Sequence, residues 1–348
     1  MPRVFRSGIS VLALVALLPP PGGFPPSSPS PDLPELTAET WVVYDARSGV
    51  VLAEQDADEE RPMASVTKVM TALVVRANAE LDERTRISDR AAAVGESEIG
   101  LAPGERWDIE ALLEAMLIRS GNDAAVALAE HVGGSVAGFA DLMNAQAEAM
   151  GLEHSRFVNP HGLDAQGHFS SAMDLVRIAE AALEDPVLAR IVRTRLIKFK
   201  PDPGGRERKA RNTNRLLGLY PGVVGMKTGF TGQAGRVLIS VLEDGDRTLI
   251  AVVMGSEDHF ADSRELLDFG AHTLTLGDRL LSHLVPEEGG GGFVSLLPTD
   301  RYERARVQSV VPLSDGQWAK TELTGTNLGR DIEAWLRDLS PVIAGGRS

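Results

Sequence analysis

Residues 40–54 read TWVVYDARSGVVLAE, which is two β-rich runs around the polar turn sequence DARSG at 45–49. β-branched and aromatic residues on both sides of such a turn predict a β-hairpin. A second hairpin is predicted further on, where the β-rich runs 237–242 and 248–253 flank the turn sequence EDGD. The chain is therefore expected to supply strands from its beginning and again from a much later region.

Helical patterns fill the sequence between these hairpins. Apolar residues recur at helical spacing in residues 109–119, 123–131 and 137–150, and residues 263–276 repeat the pattern after the second hairpin. Strands at both ends with helices between them predict an α/β fold of the α+β type. We expect one sheet built from distant parts of the chain, with a helical subdomain inserted.

The ends of the chain differ from the middle. Arg3 and Arg6 precede a short apolar run at 9–18, which is typical of a secretory signal and too short to span a bilayer as a helix. Proline, serine and glycine mark two linkers. The predicted division is a signal peptide or N-terminal anchor (1–22), a Pro/Ser-rich linker (23–38), a main domain (39–285), a Gly-rich linker (286–292) and a small C-terminal appendage of unassigned role (293–348).

Composition excludes several classes of protein. The chain has 348 residues, 43% hydrophobic and 24% charged, as in an ordinary globular fold. Its net charge of −14 argues against a nucleic-acid partner. The absence of cysteine excludes disulfides, thiolate metal sites and a cysteine nucleophile. His161 and His168 fit no familiar zinc spacing, so we interpret them as structural loop residues and expect no metal and no cofactor.

A serine and a lysine three residues apart are the first candidates for chemistry. Ser65 and Lys68 lie where the sequence enters the helix-like run VTKVMTALVV. In the first turn of a helix this spacing places both side chains on one face, so the lysine can reach the hydroxyl. Lysine can lose its proton and act as a base, whereas arginine cannot. Taken alone, such a pair is more often a capping serine with a solvated lysine.

Two further motifs follow in order along the chain. SGN at 120–122 separates two helical runs, where Ser120 and Asn122 would point from a loop into a cleft. In isolation this tripeptide could simply end one helix and begin the next. KTG at 227–229 begins a β-rich stretch, and its glycine suits the close approach of a ligand to the backbone. All three motifs in one chain make coincidence remote.

Together, SxxK, SxN and KTG resemble the signature of penicillin-binding proteins and serine β-lactamases. Longer segments resemble the low-molecular-mass D-alanyl-D-alanine carboxypeptidases, serine peptidases of the S11 type, and the similarity covers about residues 40–276. The resemblance implies a five-stranded antiparallel sheet covered by helices, and makes 39–285 the catalytic domain. The segments that carry it are RPMASVTKVMTAL (61–73), MLIRSGNDAAVALAE (116–130), FVNPHGLD (157–164) and YPGVVGMKTGFT (220–231).

The resemblance also implies roles for individual residues. Ser65 would be the nucleophile, Lys68 its base, and Ser120 the relay of a proton to the leaving amine. A cationic Lys227 would lower the pKa of Lys68 and attract the substrate carboxylate, and the backbone N–H groups of Ser65 and Phe230 would form the oxyanion hole. The substrate-binding residues implied in this way are Asn122, Lys227, Thr228, Gly229 and Phe230.

The implied function is removal of the terminal D-alanine from peptidoglycan stem peptides, with β-lactam antibiotics as acylating inhibitors. Such an enzyme acts outside the cytoplasm, and peripheral or N-terminal association with the membrane is left open. Three alternatives remain: a D,D-endopeptidase with the same site, a serine β-lactamase, and a murein-binding module without turnover. No ExxLN segment stands where a class A β-lactamase would carry its glutamate, and intact site residues argue against a non-catalytic module.

Positive charge near the third motif has two interpretations. Nine of the 23 residues in 193–215 are basic, which indicates either a solvated hairpin or a rim that attracts acidic murein peptides or anionic lipid. Arg236 stands where many relatives have a small residue or cysteine. We expect its side chain to face solvent, and access to the cleft is the alternative role.

Overall fold

The computed structural model describes residues 34–199, 207–284, 293–297, 305–312 and 318–325. It divides them into two compact units, the first reaching to Ala271 and the second beginning at His272. The predicted signal at 1–22, the first part of the Pro/Ser-rich linker and the Gly-rich linker at 286–292 lie outside the described residues.

Twelve strands and eight helices are described, together with a 3-10 turn at Ala64–Val66. The strands are β1 (Thr40–Asp45), β2 (Val50–Gln55), β3 (Arg84–Arg86), β4 (Arg106–Asp108), β5 (Leu196–Phe199), β6 (Arg208–Arg211), β7 (Val223–Thr231), β8 (Gly235–Asp244), β9 (Arg247–Ser256), β10 (Phe293–Leu297), β11 (Ala305–Pro312) and β12 (Trp318–Gly325). The helices are α1 (Thr67–Asn78), α2 (Asp89–Ala92), α3 (Ile109–Ile118), α4 (Asn122–Gly133), α5 (Val136–Ala149), α6 (Ala172–Glu184), α7 (Pro186–Val192) and α8 (His259–Leu284).

The main sheet has five strands in the order β2-β1-β9-β8-β7, and every neighbouring pair is antiparallel. Thr40 pairs with Met254 and Asp45 with Leu249, so the first strand of the fold lies beside the ninth. Six consecutive residues are buried in β1 and six in β9. Because successive side chains of a strand point to opposite faces, both faces of the sheet are covered. The expected five-stranded antiparallel sheet, built from distant parts of the chain, is confirmed.

The helices between β2 and β7 form the inserted helical part of this unit. α1 packs against α3, α4, α5 and α6, while α6 also packs against β1 and β9. α1 is therefore the central helix, and even its polar residues Thr67, Lys68 and Thr71 are buried. The helical predictions for 109–119, 123–131 and 137–150 correspond to α3, α4 and α5, and that for 263–276 lies within the longer α8.

Smaller sheets lie outside the main one. The pairs β3–β4 and β5–β6 form two-stranded antiparallel sheets, and the latter turns part of the basic segment 193–215 into a hairpin. In the second unit, β10, β11 and β12 form a three-stranded antiparallel sheet within the predicted appendage. In the part of the chain that the structure describes, each helix is too short or too polar to cross a membrane.

Candidate active site

Ser65 lies in the 3-10 turn that leads into α1, in a backbone that neighbouring groups hold firmly. Ala64 has a φ of +51°, in the left-handed region that residues other than glycine rarely occupy. The Thr67 hydroxyl donates a 2.8 Å hydrogen bond to the Ala64 carbonyl oxygen. This turn places the Ser65 side chain at the wall of a cleft, one turn before the buried face of α1.

Lys68 is the polar centre of the site and has no exposed surface. Its Nζ lies 2.9 Å from the Ser65 Oγ, 2.8 Å from the Asn122 Oδ1 and 2.6 Å from the His161 carbonyl oxygen. A charged lysine has three protons to donate and no acceptor. A neutral amine keeps two donors for Asn122 and His161 and offers its lone pair to the Ser65 hydroxyl, which is the geometry of a general base.

The surroundings of Lys68 favour this neutral form. Burial is the main cause that lowers the pKa of Lys68 well below its usual value, and the positive charge of Lys227 adds to the shift. The negative charges of Asp123 and Glu96 oppose it. Burial and a like charge both disfavour an ammonium. The amine is thereby prepared to accept the Ser65 proton near neutral pH.

The SGN motif joins α3 to α4. Ser120 is only 7% exposed, has a φ of +67° and lines the cleft with Ser65. Asn122 begins α4, and its Nδ2 donates to the Gly95 carbonyl oxygen at 3.1 Å. That bond turns the amide so that its oxygen faces Lys68. Both residues lie at the junction of two helices, as their sequence context predicts.

Asp123 is a positioning residue that directly follows the SGN motif, in the first turn of α4. Its carboxylate is buried and accepts hydrogen bonds from the backbone N–H groups of Ile99, Gly100 and Leu101, with distances of 3.0 to 3.2 Å. These bonds fix the segment 95–101, which supplies the carbonyl oxygen that orients Asn122. No sequence motif distinguishes this role from that of an ordinary acidic residue in the first turn of a helix.

Strand β7 forms the opposite wall of the cleft with the KTG motif. Lys227 is 1% exposed and donates to the Thr228 carbonyl oxygen at 2.8 Å. Burial, and then the charge of Arg119, lower the pKa of Lys227 to about 7. An approaching carboxylate would favour the charged form of Lys227. The Thr228 hydroxyl donates to the Thr213 hydroxyl at 2.7 Å.

Gly229 brings β7 into direct contact with the turn that carries Ser65. A Cβ on Gly229 would lie 2.9 Å from the Ala64 Cβ and 3.0 Å from the Ser65 backbone nitrogen. Only glycine allows this approach, which places the main chain of 229–230 beside the Ser65 amide. Two backbone N–H groups converging on one point are what an oxyanion hole requires. The Phe230 side chain itself is 65% exposed.

Substitution of Gly229 by alanine is expected to slow acylation on the order of 100-fold, because displacement of β7 or of the Ser65 amide weakens one oxyanion donor. The measurement is the second-order rate constant for covalent labelling by a penicillin. Gly232→Ala is the matched control, since a Cβ on Gly232 meets no atom within 4 Å. Equal rates in the two variants would contradict the close-contact role of Gly229.

The loop at 159–168 supports the nucleophile from behind. A Cβ on Gly162 would lie 1.9 Å from the Ala64 carbonyl oxygen, and the His168 Nε2 lies 2.9 Å from the Thr67 hydroxyl. Burial is the main cause that lowers the pKa of His161 to about 3 and that of His168 to about 4, so both rings are neutral near pH 7. The sequence predicts structural roles for both histidines but gives no sign that the His161 carbonyl oxygen is a partner of Lys68.

A cleft of about 620 Å³ opens in front of Ser65. The eight predicted site residues all lie in or directly behind it: five line the cleft, and Lys68, Asn122 and Lys227 are buried at its base. Arg236 also lines the cleft, although its side chain is exposed as expected. The lining residues are Ser65, Ser97, Arg119, Ser120, Lys209, Ala210, Arg211, Asn212, Thr213, Arg215, Thr228, Gly229, Phe230, Arg236, His259 and Phe260.

A helix-borne serine, a buried lysine, an SxN loop and a KTG strand on a five-stranded antiparallel sheet define an acyl-transferring serine enzyme of the penicillin-binding class. Residues 27–258 match the family model of peptidase S11, described as D-alanyl-D-alanine carboxypeptidase. The chain belongs to this family.

Curated relatives agree with that assignment. The chain is 32% identical over 276 residues to the D-alanyl-D-alanine carboxypeptidase DacF of Bacillus subtilis (strain 168), covering 76% of this chain and 71% of DacF. It is 36% identical over 256 residues to DacC of Escherichia coli (strain K12), covering 69% of this chain and 62% of DacC. With DacB2 of Mycobacterium tuberculosis (strain ATCC 25618 / H37Rv) it shares 36% identity over 253 residues, 70% of this chain and 84% of DacB2.

Solved structures give the same fold. A D-alanyl-D-alanine carboxypeptidase from Mycobacterium tuberculosis H37Rv superposes with a TM-score of 0.66 at 32% identity, covering 70% of this chain and 95% of that one. The Streptomyces K15 DD-transpeptidase superposes with a TM-score of 0.66 at 29% identity, covering 69% of this chain and 98% of that one. The recognition made from sequence motifs is confirmed.

Proposed function

We propose that this protein is a serine-type D-Ala-D-Ala carboxypeptidase, which removes the terminal D-alanine from peptidoglycan stem peptides through an acyl-enzyme on Ser65. The observation that carries the proposal is the 2.9 Å contact between the Lys68 Nζ and the Ser65 Oγ, at a lysine with no exposed surface. Membership in the S11 family supplies the substrate class.

Acylation begins at the Ser65 hydroxyl. As Oγ attacks the carbonyl carbon of the penultimate D-alanine, its proton passes to the neutral amine of Lys68. The bond from that carbon to the nitrogen of the last D-alanine then breaks, and the leaving amine takes up the proton held by Lys68 by way of Ser120, which leaves the Lys68 amine neutral again. Free D-alanine departs, and the rest of the peptide stays on Ser65 as an ester.

The residues that would bind the substrate are those of the KTG strand and Asn122. The terminal carboxylate would lie between the Lys227 ammonium and the Thr228 hydroxyl, where it gains a charge-assisted hydrogen bond. The Asn122 amide, whose oxygen holds Lys68, would keep the substrate amide in line with Ser65. The amides of Ser65 and Phe230 would stabilise the oxyanion.

Hydrolysis of the ester completes the cycle. A water molecule must lose a proton as it attacks the acyl carbon, and the same Lys68 amine is in place to accept it. The proton then returns to the Ser65 Oγ as the ester bond breaks. One water is consumed for each D-alanine released, so the overall reaction is a simple hydrolysis.

We infer from the substrate that the protein acts outside the cytoplasm, where peptidoglycan lies. The cationic residues Arg3 and Arg6 and the apolar run at 9–18 support export. Association with the outer face of the membrane, peripheral or through the N-terminal segment, belongs to the same proposal.

The test uses the full chain with diacetyl-L-Lys-D-Ala-D-Ala, and measures released D-alanine together with the intact mass of the protein after addition of a penicillin. Release of D-alanine and a one-to-one adduct that persists for minutes are the expected results. An adduct that clears within seconds without D-alanine release would indicate a β-lactamase. If neither D-alanine release nor an adduct is observed, the proposal is overturned and a murein-binding module is favoured.

A further inference from the structure

The cleft in front of Ser65 is strongly cationic, although the chain as a whole carries a net charge of −14. Among its lining residues in the described part of the chain there is no aspartate or glutamate. A cleft wall that carries only positive charges creates a local potential that attracts anions, even in a chain of negative net charge. The cations on the wall are Arg119, Lys209, Arg211, Arg215 and Arg236.

Two of these cations are held in place by aromatic rings. The Arg215 guanidinium lies 5.8 Å from the centre of the Phe260 ring, and the Arg236 guanidinium lies 5.6 Å from that of Phe230. The Arg236 Nη1 also donates to the Glu257 carbonyl oxygen at 3.1 Å. Stacking orients a guanidinium and leaves its remaining N–H groups available for a planar anion.

Neither guanidinium is neutralised by a nearby carboxylate in the ranges that the structure describes. The Asp258 carboxylate accepts from the backbone nitrogens of Phe260 and Ala261, at 3.1 and 3.2 Å. The Asp262 carboxylate accepts from Thr37 and Ser256. Both acidic groups are therefore engaged with their own partners, and neither forms an ion pair with Arg215 or Arg236.

Both arginines line the cleft beside the strand that would bind the leaving group, and Arg236 pairs with Phe230, two positions after Thr228, in the β7–β8 register. In the proposed reaction the terminal carboxylate belongs to the residue that leaves, and it binds at Lys227 and Thr228. The Thr228 hydroxyl touches Thr213, which stands two residues before Arg215. Cavities of about 300–1,000 Å³ accommodate drug-sized ligands, so a cleft of about 620 Å³ has room for a leaving group much larger than alanine.

We propose that Arg215 and Arg236 form an anion subsite that favours leaving groups with a second carboxylate besides the terminal one. The proposal rests on the proposed carboxypeptidase reaction and names a substrate class for it: peptides whose last residue is acidic. Bond formation and cleavage are unchanged. The attacked carbonyl still becomes the Ser65 ester, and the departing amine simply carries an extra carboxylate toward the two guanidinium groups.

The experiment compares diacetyl-L-Lys-D-Ala-D-Glu with diacetyl-L-Lys-D-Ala-D-Gln, which have nearly the same shape and differ by one charge. We expect kcat/KM to be about 3- to 10-fold higher for the acidic substrate, since each exposed charge pair contributes modestly. In Arg215→Gln/Arg236→Gln the preference should fall to less than about 2-fold. Arg47→Gln, a change on the distant β1–β2 turn, should retain it.

Failure of this subsite can be told apart from failure of the proposed function. Turnover of diacetyl-L-Lys-D-Ala-D-Ala, measured with each protein, tests the reaction itself. Equal kcat/KM values for the acidic and amide substrates in the wild type, with the D-Ala substrate turned over, would overturn the subsite alone. A preference for the acidic substrate that persists in the double variant would also overturn the subsite alone. Thermal unfolding of each variant checks that it is folded.

Discussion

Replacement of Ser65 by alanine is expected to eliminate both the covalent adduct with a penicillin and the release of D-alanine. The change removes the only atom that forms the acyl bond, and loss of a catalytic nucleophile costs on the order of 10⁴-fold or more in rate. Lys68 keeps its bonds to Asn122 and His161 in this variant, so the buried amine remains satisfied and the fold should persist. Intact mass and a D-alanine assay give the two readouts.

A serine from the same cleft supplies the control for this experiment. Ser97 lines the cleft as Ser65 does, and its hydroxyl donates to the Arg119 carbonyl oxygen at 3.2 Å, whereas the Lys68 amine bonds to Ser65, Asn122 and His161. Ser97→Ala should still form the one-to-one adduct. If Ser65→Ala also forms an adduct of the same mass, the nucleophile is a different residue and the proposed mechanism fails.

Lys68→Arg is expected to lower the acylation rate constant by roughly 10³- to 10⁴-fold, close to the full contribution of a general base. A guanidinium keeps its proton at any working pH and has no lone pair for the Ser65 hydroxyl. It also brings a permanent charge into a site that burial and Lys227 already make unfavourable for cations. The measurement is the time course of penicillin labelling.

Two further variants make the Lys68 result interpretable. Lys198→Arg makes the same exchange at an exposed position of β5 and should label at the wild-type rate. Lys68→Met removes the charge, so it separates loss of the base from the cost of burying a guanidinium. Normal labelling by either Lys68 variant, with thermal unfolding showing a folded protein, would remove the assignment of Lys68 as the base.

The strands of the two predicted hairpins and the reacting side chains could be predicted because they leave strong local signals. The turn sequences at 45–49 and 243–246 mark the β1–β2 and β8–β9 hairpins between runs of β-branched residues. Ser65 and Lys68 share a helix face whatever the tertiary structure, so their contact follows from spacing. The five-stranded antiparallel sheet was implied by the family resemblance, and the order of its strands was not predicted, because long-range pairing leaves no local trace in a single sequence.

Other parts of the site could not be predicted from residue types. The third partner of Lys68 is the carbonyl oxygen of His161, and a backbone oxygen has no sequence signature. The left-handed backbone at Ala64 is fixed by contacts with residues nearly a hundred positions away, such as Gly162. Arg236 was expected to face solvent, and only the structure reveals its position over the Phe230 ring.

The position of β1 in the sheet also sets the order in which the enzyme can acquire activity. β1 pairs with β2, made soon after it, and with β9, in which Met254 is the partner of Thr40. During synthesis one edge of β1 therefore has no partner strand until β9, near the end of the catalytic unit, has been made. β7 joins β1 only through β8 and β9. A nascent chain thus contains Ser65 and Lys68 early but lacks the opposite wall of the cleft until β7, β8 and β9 have been synthesised.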